Sequence, residues 1–376
     1  MSRSAASSTV RQEAAPGEFT GLLDGFREKL DRELAAWLAA RRQAAAGSRE
    51  MLELIDGVGE LVTHGGKRLR PALVYYTYRA CGGPSDDEAL PVALAIELLH
   101  TYLLIHDDIM DHAEVRRGHP SAHARFRQSH QSRGFHGDPQ DFGRSVAILL
   151  GDLAHTWAME LFSGAERSRE LSRCFSAMSE EVIGGQYLEL MVALRRSMQA
   201  IPAERERTNE KELLAVLRRK SGRYTAERPI QLGGILAGAA PGPLTALARF
   251  GAAVGEAFQL QDDLLGMFGD PETVGKPVGA DLTEGKFTFL VYHALKAAAP
   301  AERQILSAAL GRPDLSREEV SRVHRILIET GAHARVEAMI DQRLRVARAE
   351  LSGLDLKEPG RTFFAGLVDY LKERRA

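Results

Sequence analysis

The sequence predicts an all-α protein, a single large helical bundle. Three observations carry that expectation. Apolar residues recur every three or four positions over long stretches, as on one face of a helix. Almost no segment alternates apolar and polar residues with the period of a strand. Two of the most apolar stretches each run straight into adjacent aspartates, Asp107-Asp108 and Asp262-Asp263.

Residues 1–17, rich in Ser and Ala and without an apolar core segment, read as a disordered tail ahead of one domain spanning 18–376. From Phe19 to Ala46 the residues Leu22, Phe26, Leu30, Leu34 and Leu38 share a helix face. Arg49 to Val62 makes a second helix, broken by Gly65 and Gly66. Lys67, Arg68 and Arg70 then crowd together, and Pro71 suits the first turn of the next helix. Cations and free N–H groups at a helix start suit a phosphate. The stretch is no P-loop, because Arg follows the Gly-Lys and no strand precedes it; a basic surface turn is the alternative.

Helices are expected over Arg70–Cys81 and Asp86–His112. Arg125 to Phe142 is polar, shows no apolar stripe and reads as a loop. Its His130 and His136 are spaced too irregularly for a metal site. Val146–Phe162 and Glu166–Met198 resume as helices, the second with Gly184-Gly185 inside it, where a close approach of ligand or neighbour would justify the glycines. Ile201–Arg207 links to a helix at Asn209–Arg219, with Lys220 and Ser221 following and Gly222 as punctuation. Thr225–Ala239 and Leu244–Met267 come next, then a Pro- and Gly-rich loop. The helices from Glu302 to Glu373 read as a supporting layer without chemistry.

Asp107 and Asp111 stand one helical turn apart on one face, with Asp108 beside them. Two carboxylates near 4 Å repel by about 4 kcal/mol at an effective dielectric of 20. Cations relieve this, and oxygen ligands without Cys select a hard ion, Mg²⁺ above all when phosphate completes its shell. Arg116 and Arg117 follow as fixed positive charges. Taken alone, this is also what a solvated acidic helix end and a basic loop look like. The second pair, Asp262-Asp263, with Gln259 and Gln261 just before, weighs against that reading, since unpaired carboxylates are seldom buried. Facing each other across a bundle, the two helix ends would hold Mg²⁺ ions around one diphosphate.

The first stretch matches D-D-x-x-D-x-x-x-x-R-R-G-x-P and so resembles the aspartate-rich motif of the trans-isoprenyl diphosphate synthases. The resemblance takes in Gly65 to Pro71, Gly184-Gly185-Gln186, Lys220-Ser221, the second aspartate pair, Gly275-Lys276-Pro277, Asp281 and Gly285-Lys286, in that family's order, from about Phe19 to the C-terminus. It implies the isoprenoid synthase type of bundle, with a central substrate cavity. It implies that isopentenyl diphosphate is condensed with an allylic diphosphate to a linear all-trans prenyl diphosphate, with Mg²⁺ as cofactor, three ions when the allylic diphosphate is bound, and that the protein is a homodimer.

The same resemblance distributes the roles. Asp107, Asp111 and Asp262 would bind metal, supported by Asp108 and Asp263. Arg116, Lys220 and Lys276 would add positive charge at the allylic diphosphate. Lys67, Arg70, His100 and Arg117 would hold the homoallylic diphosphate. Gln186, Ser221, Gln259 and Lys286 would complete the substrate contacts. Asp281 would cap the next helix, or join the metal shell through water. Ser221 stands where the family usually has Thr. Gly266 stands where members often have a third aspartate.

Tyr102, five residues before Asp107, and Leu103 beside it would set chain length, an aromatic there resembling the geranylgeranyl type. Bacterial farnesyl synthases usually carry an insertion in the first motif, absent here. Farnesyl or longer products remain the alternative. A class I terpene cyclase would want Asn, Ser and Glu in place of Asp262-Asp263 and has no use for Lys67 and Arg70. A non-catalytic partner subunit would be expected to lose metal carboxylates, and both pairs are present.

With a formal net charge of −2, nothing points to nucleic acid or an anionic membrane as main partner. Cys81 and Cys174 make no disulfide framework or zinc spacing and suit a reducing cytoplasm. No stretch is expected to span a membrane.

Overall fold

The structure, a computed structural model, describes residues 16–196, 209–269 and 279–373, and among these it is almost entirely helical. The expected N-terminal tail lies mostly outside the described residues, although α1 (Pro16–Ala44) already begins at Pro16. α2 (Arg49–Thr63) starts at Ser48, whose side chain accepts from the Met51 amide at 3.2 Å. α3 (Leu69–Ala80) is buried over nearly its whole length. α4 (Asp86–Met110) opens with Ser85 as N-cap and three acids in its first turn, a favourable match to the helix dipole.

α4 is the one described helix long and apolar enough, by length and composition, to cross a membrane, but 67% of that apolar stretch is buried inside the bundle. α3 and α6 pack against it. A core helix wrapped by its neighbours is apolar for the same reason that a membrane span is.

The segment Arg125–Phe142 is not a loop. α5 (Ala122–Ser132) runs through its first half, and α6 (Pro139–Ser163) begins earlier than expected, at Asp138, whose carboxylate accepts from the Gln140 amide at 2.6 Å. The buried stripe of α5 is Ala122, Phe126 and His130. It consists of one phenylalanine, a small residue and a histidine, so hydrophobicity counting misses it. His130 packs edge-on to Phe135 and against Phe142, with ring centroids 5.7 and 5.1 Å apart, and its Nε2 lies 3.2 Å from the His136 carbonyl.

Between α4 and α5 the chain makes a small antiparallel hairpin, β1 (Val115–Arg116) with β2 (His119–Pro120). α7 (Ser168–Arg196) follows. α8 (Glu210–Val216) then passes without a break into a π-helical segment, Leu217–Glu227, and on into α9 (Arg228–Leu236). Gly222 does not punctuate the chain there. A π-helix is wider than an α-helix and rare at this length. Its two neighbours make room for it. A Cβ on Gly185 of α7 would stand 2.5 Å from the Lys220 amide nitrogen, and one on Gly255 would stand 2.0 Å from the Gly222 carbonyl oxygen. Gly184, by contrast, faces open space, so only the second glycine of the α7 pair answers to close approach.

α10 (Pro241–Phe268) carries Gly255 and packs on the π segment and on α15 (Ala332–Ser352). α11 (Ala280–Thr283), α12 (Phe289–Ala297), α13 (Pro300–Ala309) and α14 (Arg317–Glu329) lead to α15, and α16 (Gly360–Glu373) closes the chain against α1. The apolar core is one continuous cluster reaching from Phe19 of α1 to Leu371 of α16. Cys81 and Cys174 are both free thiols, and burial pushes each up to about 11.

Candidate active site

Asp107 and Asp108 lie in the last turn of α4, and Asp111 caps its C-terminal end. That is the negative pole of the helix dipole, so the helix itself raises the energy of these carboxylates and favours a cation beside them. They divide by partner. Asp108 is buried and accepts from Arg116 Nε at 2.9 Å and from Arg116 Nη2, which ties the hairpin to the helix end. Asp107 is half-buried, 3.8 Å from the Nζ of Lys220. Partial desolvation, and then the Asp107 carboxylate, push Asp111 up to about 6, with Glu189 and Glu284 adding to the effect and Lys220 opposing it.

Lys220 sits on the π segment and donates to Glu189 of α7. Burial works against its ammonium, but Glu189 and Asp107 outweigh it and keep it charged. Gln186 lies one turn before Glu189 on the same face of α7, half-buried, and Ser221 is half-buried beside Lys220.

A second basic cluster lies where α2, α3 and α4 meet the π segment. Arg70 donates from Nη2 to Thr225 Oγ1 at 2.9 Å and lies over the Tyr224 ring, 4.5 Å from its centroid. His100 places Nδ1 2.8 Å from the Tyr224 hydroxyl oxygen and Nε2 3.5 Å from Arg70 Nη1. A guanidinium only donates, so Nε2 is the acceptor and Nδ1 carries the proton. Burial, then Arg70, Arg117, Arg116 and Arg68, hold His100 well below the usual histidine range, so it is neutral at pH 7.

Arg117, with φ 53°, donates to the Gly65 carbonyl, and its guanidinium lies 3.0 Å from where a Cβ on Gly66 would be. Lys67 is exposed and donates to the Tyr370 hydroxyl at 3.1 Å. Arg68 takes no part in this cluster. It turns inward to Glu97, Asp31 and the Val62 carbonyl.

On α10, Asp262 is half-buried, while Asp263 is buried and accepts from Gln259 Nε2 at 2.8 Å. Burial pushes Asp263 up to about 7, with Lys286 opposing and Asp281 adding. Asp281 does not cap a helix. It lies inside α11, is buried, and has Lys286 Nζ 3.5 Å from its Oδ1. Its Oδ2 stands 2.4 Å from where a Cβ on Gly266 would be. Lys276 lies outside the described residues.

Tyr102 and Leu103 are half-buried on α4 and pack against the core. The Tyr102 ring lies between two histidines, 4.7 Å from the His106 centroid and 5.0 Å from that of His155 on α6.

Among the described residues no three acidic, His or Cys side chains converge into a ready-made metal cage. That is how Mg²⁺ is usually held, on one or two carboxylates with phosphate and water completing the octahedron. Donors that are all oxygen, and the raised Asp111 and Asp263, fit such an ion.

Sequence reasoning did not find Glu189, Tyr224, Thr225 or Tyr370. Each acts as partner to a predicted residue from a distant element, and nothing in local spacing reveals that pairing. The structure brings Asp107, Lys220 and Glu189 together, Arg70 with His100, and Gln259 with Asp263 and Lys286.

An all-α bundle with carboxylates on two helices and two basic clusters is an arrangement of charge that suits a diphosphate ester. Comparison with known proteins specifies it further. The polyprenyl synthetase family matches residues 53–327. The chain is 30% identical over 326 residues to the geranylgeranyl diphosphate synthase of Methanosarcina mazei, covering 86% of this chain and 90% of that one. It is 32% identical over 320 residues to the geranylfarnesyl diphosphate synthase of Aeropyrum pernix, covering 84% and 92%. The crystal structure of geranylgeranyl pyrophosphate synthase from Corynebacterium glutamicum, complexed with isoprenyl diphosphate and magnesium, superposes with a TM-score of 0.86 at 33% identity, covering 94% of this chain and 99% of that one. The chain belongs to the polyprenyl synthetase family and is a prenyltransferase.

Proposed function

We propose that this prenyltransferase lengthens an allylic diphosphate with isopentenyl diphosphate and that geranylgeranyl diphosphate is its main product. The observation that carries the reading is the separation of two kinds of diphosphate cradle. One has the carboxylates Asp107, Asp111 and Asp262 with Lys220 and Lys286. The other, Lys67, Arg70, His100 and Arg117, combines cations with a neutral imidazole. An enzyme that joins two diphosphates needs both, and a cyclase needs only the first.

Asp107, Asp111 and Asp262 would hold Mg²⁺, three ions with the allylic diphosphate present. When bound, those ions would neutralise the departing diphosphate. The chain's own residues do the rest. Arg116, fixed by Asp108, and Lys220, fixed by Glu189, are already oriented before substrate arrives, so their charge acts on the leaving group without reorganisation. Lys276 and Lys286 would add to it, Lys286 being held charged by Asp281 and Asp263 against the cost of its burial. Gln186, Ser221 and Gln259 would contact the allylic substrate. Arg70, Arg117, Lys67 and His100 would hold isopentenyl diphosphate so that its double bond faces the cation.

The Tyr102 ring between His106 and His155, beside Leu103, would form the floor that stops the growing chain. The relatives include both geranylgeranyl and geranylfarnesyl synthases, which leaves product length to this floor. Exposed apolar side chains on α6 (Ile148, Leu149) and α7 (Ile183, Leu194) support a homodimer that covers them.

The test is incubation of purified protein with Mg²⁺, isopentenyl diphosphate and each allylic primer, followed by sizing of the product. A linear geranylgeranyl diphosphate is expected. A shorter or longer linear product overturns the floor and keeps the enzyme class. A cyclic hydrocarbon from geranylgeranyl diphosphate alone overturns the whole reading.

A further inference from the structure

The last helix reads from the sequence as a supporting layer, yet its end reaches both sides of the site. Tyr370 of α16 accepts a hydrogen bond from Lys67 Nζ at 3.1 Å, and the same ammonium lies 5.8 Å from the centre of its ring. One residue on, the Leu371 carbonyl accepts from the side chain of Gln261, a buried residue adjacent to Asp262. The Tyr370 ring is fixed from behind by Phe19 of α1, with centroids 5.3 Å apart, and Phe19 packs in turn on Phe363 at 5.1 Å. A Cβ on Gly366 would stand 2.5 Å from the Phe19 Cβ, so the two terminal helices meet closely. The hydroxyl that meets Lys67 is therefore on a rigid mount.

Lys67 needs such a partner. Arg70 and His100 are locked by Thr225 and Tyr224, and Arg117 by the Gly65 carbonyl. Lys67 is exposed and carries its charge on a long, flexible stem. A lysine loses much rotamer freedom when it is fixed on a ligand. A group that fixes it beforehand moves that cost from binding to folding.

We propose that Tyr370 is a positioning residue for the homoallylic diphosphate, holding the Lys67 ammonium in place through its hydroxyl. The inference rests on the assignment of Lys67 to that substrate. Its chemistry is plain. A neutral phenol orients the ammonium without neutralising it, whereas a carboxylate in its place would compete with the diphosphate for the charge.

Steady-state kinetics on the full chain test it, with isopentenyl diphosphate and the allylic diphosphate varied in turn, for Tyr370→Phe, Lys67→Ala and the double variant. Phe keeps the ring packing on Phe19, and a thermal melt checks that the fold is intact. Tyr370→Phe is expected to raise KM for isopentenyl diphosphate roughly three- to tenfold, about what one hydrogen bond is worth at an exposed site. The allylic KM should move far less. In the Lys67→Ala background the same change should add nothing. If Lys67→Ala raises that KM and Tyr370→Phe does not, Tyr370 only packs and the proposal falls while the site assignment stands. If Tyr370→Phe shifts both KM values alike, its role is structural and the proposal falls likewise. If Lys67→Ala itself leaves KM for isopentenyl diphosphate unchanged, the assignment of Lys67 fails, and the proposal with it.

Discussion

The carboxylate of Asp281 occupies the space that a side chain at Gly266 would need. Position 266 lies one helical turn beyond Asp262, where a third aspartate of the second motif would stand. Here the acid on that face comes from α11 instead of α10, and the glycine is what admits it. Gly266→Asp should therefore fail to restore a fuller motif. It forces a side chain into a filled site, costing about 1–3 kcal/mol for overpacking alone, and sets two carboxylates against each other. Denaturant unfolding should show the loss, and combining it with Asp281→Gly should recover most of it. Equal stability of Gly266→Asp and the parent would contradict this picture.

Binding of isopentenyl diphosphate should take up a proton. His100 is neutral in the free protein at pH 7 because burial and four arginines hold it down. A diphosphate beside it favours the imidazolium. The bound-state pKa then lies above the free one, so affinity is greatest at low pH and is lost as pH rises through the bound-state value. Calorimetry in buffers of different ionisation heat should find uptake of up to about one proton near pH 7, abolished in His100→Asn.

Asp111→Asn should separate stability from function. The folded protein raises Asp111 from 3.8 to about 6, so its charge works against the fold above pH 6 and is absent below the unfolded value. The asparagine variant should melt slightly higher than the parent at pH 8 and no differently at pH 3.5, the gain kept small by solvent at this exposed position. Turnover should fall by about two orders of magnitude or more, as expected when stabilisation of the leaving group is lost.

Tyr102→Ala should lengthen the product beyond geranylgeranyl diphosphate, and His155→Ala should shift it in the same direction by removing one of the two rings that brace the tyrosine. Chromatographic sizing decides it, and an unchanged product profile in both variants would remove the floor.

How much was legible beforehand depended on range. Asp107 and Asp111 share a face because helical geometry is local, and their spacing alone says so. The helical character of the described residues followed from the same periodicity. α5 escaped because its buried stripe, Ala122, Phe126 and His130, holds one large apolar side chain among a small residue and a histidine. The π segment escaped because its cause lies in its neighbours, at Gly185 and Gly255, each far from Lys220 in sequence. The partners of the site residues, Glu189 for Lys220 and Tyr370 for Lys67, are set by packing between distant helices. Gly266 was visible as a departure, but its complement, Asp281, became readable only in three dimensions.

The burial of α4 also has a consequence for how the chain is made. The ribosome releases α4 before α6, the helix that covers much of it. Until α6 emerges, the nascent protein carries in water a helix greasy enough for a lipid bilayer. Folding of this segment during synthesis therefore waits on the arrival of α6, and until then its apolar face lacks its main cover.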